Sequence, residues 1–370
     1  MTSTTGARHA RTGVAILGIA VLVSASASSR DADPVDAQRV DGAPFARLVP
    51  CGDQPFVAVF RGFTAEGERV EGPGSSPSSD IYGVRSDGSV SPVTTDLGSY
   101  EFGIAADAAT VYASRSRADV SSVERTPSAD RVVAIALATG RQSVVLEAPD
   151  VGAVAPDPDG SRLGLTVFTA GEQPEAGSSA PALVDLPVVA PPRHLAPAAA
   201  LRTETAVVAT RELAWSPDGQ RLAFVATLPD ASQEIRVVGA ATGESTTVHR
   251  VDATTALLSL DWSTDGTRLL TVEGRAPTPS GTPRDRVAEI DVATGRSTVV
   301  LRGVRGDLVY SAADGSRVTM LDNGPDSSPV ARTWSRAASG RFVATSQAAV
   351  GGDLGLVGAD RLDIPRCALP

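Results

Sequence analysis

AWSPDGQRLAFVA at residues 214–226 and LDWSTDGTRLLTVEG at 260–274 decide how this chain reads. Each runs from a short apolar stretch through Trp-Ser to Asp-Gly, then a polar residue, Arg and a second apolar stretch. Asp-Gly between apolar runs signals a tight hairpin, because Gly accepts the positive φ that such turns demand. The pattern returns in VAPDPDGSRLGLTVF (154–168) and VYSAADGSRVTMLD (309–322). The pairs Asp159-Gly160, Asp218-Gly219, Asp265-Gly266 and Asp314-Gly315 stand 59, 47 and 49 residues apart. A second kind of hairpin alternates with the first. RVVAIALATGRQSVVLE (131–147), EIRVVGAATGESTTVHR (234–250) and RVAEIDVATGRSTVVLR (286–302) share Ala-Thr-Gly at the turn. Their flanks are rich in Val, Ile and Thr, which fit pleated strands. Two hairpins, or four strands, repeating at about 50 residues make a propeller blade.

Working outward, paired hairpins fall at 100–147, 151–196, 211–250 and 257–302, and strand-like segments at 56–60 and 80–94 supply another blade. After 302, residues 307–322 read as a first hairpin. TWSRAASGRFVATS (333–346) reads as another of the Trp-Ser kind with extra turn residues, and 354–365 as a last hairpin. The expectation is an all-β protein, a β-propeller of six four-stranded blades, with seven as the alternative. C-terminal strands are expected to close the ring against the segment after Cys51. Trp215, Ser216, Pro217, Asp218 and Gly219, with Trp262, Ser263, Asp265 and Gly266, form a motif that resembles the repeats of TolB-type, WD-like propellers. Propeller domains of prolyl-oligopeptidase-like proteins carry similar repeats. The resemblance implies structural roles for these residues, with both tryptophans packed between blades.

The ends of the chain point to export. Arg8 and Arg11 precede an apolar run, Gly13 to Val23, and Ala25-Ser26-Ala27 fits a cleavage site. The run is shorter than the about 20 residues a membrane span needs. The expected organisation is a signal peptide at 1–27, a linker at 28–50 and a propeller at 51–370; an uncleaved anchor is the alternative. Cys51 and Cys367 are the two cysteines, and in an exported chain they are expected to form a disulfide that staples the ring, with two free thiols as the alternative. The compartment is then secreted or cell-envelope, and the mature protein a monomer outside the membrane.

Composition excludes several functions. A net charge of −10 argues against nucleic acid, which needs a basic surface. All 33 basic residues are Arg. Without Lys there is no Walker-type phosphate loop and no Schiff-base lysine. There is no G-x-S-x-G elbow, and three His cannot build H-E-x-x-H; His194 and His249 read as surface or edge residues. Asp157 to Gly160 superficially resembles a calcium loop but lacks the later acidic ligands, and reads as the repeat's turn. No catalytic residue, metal site or cofactor is assigned.

Loop length carries what functional signal there is. Connections at 61–79, 114–130, 169–181 and 274–285 are long, and strand alternation places them all at one end of the ring. Loops held by a rigid scaffold are where binding concentrates, although surface insertions are also cheaply tolerated. Arg115, Arg117 and Arg125 share one such loop, and Arg275 and Arg284 another. Their planar forks suit carboxylate or phosphate groups; the plainer reading is solvated surface. Three functions stay open: a non-enzymatic binder of a protein, peptide or cell-envelope partner; a propeller hydrolase or lyase with a metal in the channel; and an accessory subunit docking a membrane partner.

Overall fold

The computed structural model describes residues 44–64, 79–96, 100–104, 108–115, 129–169, 178–186, 193–194, 209–275, 285–304, 306–323, 328–351 and 354–370. Antiparallel strands β1 (Ala58–Thr64), β2 (Ser79–Val84) and β3 (Val90–Pro92) belong to blade 1. Blade 2 holds β4 (Tyr100–Ile104), β5 (Thr110–Arg115), β6 (Ala129–Ala136) and the start of β7 (Gln142–Pro156). The end of β7 serves blade 3, with β8 (Arg162–Thr169), β9 (Ser178–Asp185) and the two-residue β10 (Arg193–His194). Because β7 runs on unbroken, blades 2 and 3 form one seven-stranded sheet.

Blade 4 contains β11 (Ala209–Trp215), β12 (Arg221–Thr227), β13 (Gln233–Gly239) and β14 (Ser245–Val251). Blade 5 contains β15 (Thr255–Trp262), β16 (Arg268–Arg275), β17 (Arg286–Asp291) and β18 (Ser297–Arg302). Blade 6 contains β19 (Asp307–Tyr310), β20 (Arg317–Asn323), β21 (Pro329–Arg336) and β22 (Phe342–Ala349). Finally β23 (Leu356–Asp363) pairs with β1 as the inner strand of blade 1. Six blades therefore close into a ring through strands from opposite ends of the chain.

Burial follows strand position. β12 and β16 are buried at every position between their end residues, β16 enclosing Thr271 and Glu273 among its apolar side chains, because neighbouring blades cover both faces. The outer β14 is exposed over its first three residues. Gly219 and Gly266 take φ of 64° and 67° in the Asp-Gly turns, a region costly for any residue with a Cβ.

Two expectations for the last blade are corrected. Residues 333–346 are not a first hairpin: they lie in β21 and β22, and Ala338-Ser339-Gly340 stands where Ala-Thr-Gly stands elsewhere. Residues 354–365 are not a hairpin but the single strand β23, because its partner β1 comes from the other end of the chain. Cys51 and Cys367 form a disulfide with Cα atoms 5.5 Å apart, next to that seam. Val49 N–H donates to Ala368 O there, tying both chain ends together.

Candidate functional site

Within each blade the connection from second to third strand emerges at one end of the ring. These connections span 65–78, 116–128, 170–177, 228–232, 276–285 and 324–328. At the other end lie the short turns 157–161, 216–220, 263–267 and 311–316 between first and second strands. Arg275 ends β16 exposed on the long-connection side, and its N–H donates to Asp285 Oδ1 at 2.9 Å. Arg115 ends β5 on the same side. Its guanidinium pairs with Asp96 at 2.6 Å and donates to Gln142 Oε1, bracing blade 2 against residues that follow β3. Arg117, Arg125 and Arg284 lie outside the described residues.

The inner strands β23, β4, β7, β11, β15 and β19 line a central cavity of about 130 Å3. Glu212 and Arg361 enter it from opposite blades. Both sit at register shifts in their strands, with φ of 42° and 52°, a backbone region unfavourable for non-Gly residues. Arg361 Nη1 donates to Glu212 Oε2 at 2.8 Å, so the pair spans the channel, while Arg361 Nε donates to Phe102 O. Below it, Arg366 Nη2 donates to Trp215 O at 3.2 Å, and Leu369 joins the cavity wall. The C-terminal segment therefore lies across the short-turn end of the channel.

Three inner-strand aspartates stitch consecutive blades. Asp261 Oδ2 accepts from Tyr310 N, Asp307 Oδ2 from Leu362 N, and Asp363 Oδ2 from Ile104 N, at 2.7–2.8 Å. Burial raises all three carboxyls above the ordinary range, Asp363 to about 6, and Asp307 is raised further by the charge of Glu212. Each aspartate thus has an oxygen committed to a backbone amide. Among the described residues no group of three or more His, Cys, Asp or Glu is placed to hold a metal.

The repeat residues make contacts between blades. Trp215 Nε1 donates to Ala155 O and Trp262 Nε1 to Ala214 O, both at 2.9 Å. Arg162 lies over the Trp215 ring at 5.0 Å and donates to Gly219 O; Arg221 lies over Trp262 at 4.8 Å and donates to Gly266 O. In the turns, Ser216 and Ser263 donate to Asp218 and Asp265. Hydrogen bonds from Ser263 and Thr267 bring Asp265 down to about 2. His249 stands on β14, the edge strand of blade 4, as expected, and is partly buried there. Its Nε2 lies 3.0 Å from Glu273 Oε1 in the cleft between blades 4 and 5, and Arg286 bonds the other carboxylate oxygen. Burial pushes Glu273 up, but His249 and Arg286 outweigh it and hold the carboxyl below its usual range.

Sequence reasoning missed Glu212, Arg361 and the three aspartates. Glu212 stands beside Thr210 and Arg211 in ATRELAW (209–215), and nothing in that pattern marks it as a channel residue.

No family model matches the sequence, and no curated protein matches it. Solved structures share the fold. TolB from Acinetobacter baumannii is 16% identical with a TM-score of 0.58, over 83% of this chain and 65% of that one. The chain thus spans just under two thirds of that protein's length. An Agrobacterium tumefaciens protein assigned as TolB is 12% identical with a TM-score of 0.49, over 80% and 90% of the two chains. Oligogalacturonate lyase from Vibrio parahaemolyticus is 13% identical with a TM-score of 0.47, over 71% and 73%. The fold is a propeller of the TolB type.

Proposed function

We propose that the chain is an exported, non-enzymatic binding protein that recognises a protein, peptide or cell-envelope polymer through the end of the ring bearing its long connections. The observation that supports this reading is the contrast between the ends. Short turns at one end are locked together by the Trp, Arg and Asp-Gly contacts, and the C-terminal segment lies across the channel there. The other end carries the connections that are long in blades 1, 2, 3 and 5 and five residues in blades 4 and 6, on a rigid frame where recognition is least costly to vary.

Export is supported by the basic and apolar segments before residue 27 and by the disulfide, a bond kept in oxidising compartments. Among the described residues no helix is long and apolar enough to cross a membrane. Intact-mass analysis of secreted protein should find a chain cleaved near Ala27; a full-length chain held in membranes would sink the export reading. For binding, the test is partner capture from envelope extract, comparing long-connection variants with short-turn variants. Capture lost from the long-connection variants, at unchanged stability, is the expected outcome.

A second reading, a propeller enzyme acting at the central channel, draws on Glu212, Asp261, Asp307 and Asp363, four acidic residues that line the cavity. Metal analysis of protein purified without chelator distinguishes it. Stoichiometric metal, with turnover of a lactone or phosphoester, would replace the binder reading.

A further inference from the structure

The contacts by which β23 closes the ring all precede residue 364. β23 pairs with β1, Arg61 grips Asp360, and the carboxylates of Asp307 and Asp363 accept from the amides of Leu362 and Ile104. Ile364 and Pro365 are buried after it, and a single 3₁₀ turn, Arg366–Ala368, leads to Leu369 and Pro370. Residues 366–370 lie across the short-turn end of the channel. Arg366 and Leu369 line the cavity of about 130 Å3, and Arg366 reaches from the blade 1 side to Trp215 O in blade 4. Blades 1 and 4 are opposite in a ring of six, so this segment crosses the channel just as Arg361 and Glu212 cross it nearer the long connections.

The non-covalent hold on the segment is small. Ala368 is the one buried residue of the five, and Leu369 packs against the core only in part. Ala368 O accepts from Val49 N at 3.0 Å, Pro370 O from Ala313 N at 3.3 Å and Trp215 O from Arg366 at 3.2 Å. Arg366 also brings its charge to Asp261 and Asp363 on the cavity wall. A segment with so few buried apolar contacts opens locally at low cost. The covalent hold is the Cys51–Cys367 bond, and its two residues differ in access: Cys51 is 9% exposed, whereas Cys367 is exposed.

We propose that residues 366–370 are a plug in the short-turn mouth of the channel, and that Cys51–Cys367 is a latch opened by a dithiol reductant. The incoming thiolate attacks the Cys367 sulfur, forms a mixed disulfide there and expels the Cys51 thiolate. The reductant's second thiol attacks its own sulfur in that bond and releases Cys367. One dithiol becomes one disulfide, and the cysteine pair takes up two electrons and two protons. The plug then swings out beyond Pro365 while β23 stays paired with β1. The ring remains closed and the channel gains a mouth opposite the long connections. In oxidising surroundings the latch stays shut.

The test is the mature chain treated with dithiothreitol without denaturant. Alkylation and mass analysis read the thiols, circular dichroism reads the sheets, and acrylamide quenching of tryptophan emission reads access, since Trp215 and Trp262 line the cavity. Reduction should proceed with the β-sheet signal intact, and quenching should then rise about twofold, as expected for a segment that opens apart from the frame. Cys51→Ser combined with Cys367→Ser should show the raised quenching without reductant and no further rise with it. A pair that resists dithiothreitol until denaturant unfolds the ring overturns the proposal, and so does reduction that itself unfolds the ring; both mark the bond as a staple alone. Quenching unchanged after native reduction also overturns it, because the segment then stays seated without its latch.

Discussion

Blades 3, 4 and 5 are joined differently from blades 5, 6, 1 and 2. In the first set each junction uses the repeat itself, a tryptophan inserted into the preceding blade and an arginine reaching forward. In the second set the fastening passes to the inner-strand aspartates: Asp261 joins blade 5 to 6, Asp307 joins 6 to 1, and Asp363 joins 1 to 2. Tyr310 takes the tryptophan position in blade 6 and donates its hydroxyl to Glu289. Blades 2 and 3 need neither device, since β7 passes through both. A repeat can supply its own joints only where two complete repeats are neighbours. Where chain ends meet, other residues must hold the ring.

The sharpest break of this contrast is Trp262→Ala. The side chain is buried and bonded across the blade junction. Its loss should cost about 3–5 kcal/mol, read as a lowered denaturant midpoint at constant slope. Native stability in this variant, with a ligand no longer bound, would move Trp262 from the frame to a site. On the seam side, reduction of Cys51–Cys367 should cost about 2–5 kcal/mol, since the bond closes a loop of very large separation. Denaturation with and without reductant measures it; non-reducing peptide mapping should show the pair joined.

A pH test separates the two fastenings. Asp363 has a folded pKa raised to about 6, above its unfolded value near 4. Its contribution is therefore fully present below about pH 4 and is lost as pH rises through about 6. Asp363→Asn keeps the acceptor for Ile104 N–H and removes the buried charge. It should stabilise the protein by roughly 1–3 kcal/mol at pH 8 and change little at pH 4. Asp265, held down to about 2, behaves oppositely: its contribution is present above about pH 4 and fades towards pH 2. Unfolding curves of Asp363→Asn and the parent at both pH values decide the point. The smallest effect is expected from Arg275→Ala combined with Arg284→Ala, under about 0.5 kcal/mol in stability but with weakened partner capture.

Asp-Gly and Ala-Thr-Gly made the blades legible because turns depend on local chemistry that a sequence prints directly. Cys51 and Cys367 made the closure legible for the same reason, as a pair with no other partner. The phase after residue 302 was harder. Trp334 follows Thr333 just as Trp215 follows Ala214, yet it sits in a third strand, because position within a blade depends on which strand it pairs with. The channel residues were illegible. Glu212 and Arg361 meet only once two bulges turn them inward from blades 149 residues apart in sequence. The ion pair of Arg115 was hidden for the same reason: Asp96 follows β3 of the preceding blade.

Closure by β23 has a consequence for biogenesis. β1 is synthesised long before its inner partner β23, which lies about 300 residues further along the chain. Until residue 356 arrives, blade 1 carries an unpaired strand edge, a template for aggregation. Contacts between Arg61 and Asp360, 299 residues apart, also place this ring among topologies that fold slowly. A polypeptide cut short anywhere before Leu356 keeps that edge and lacks Cys367 as well. Such fragments should be cleared by proteases or held by chaperones, so that chains reaching past β23 are the ones that accumulate.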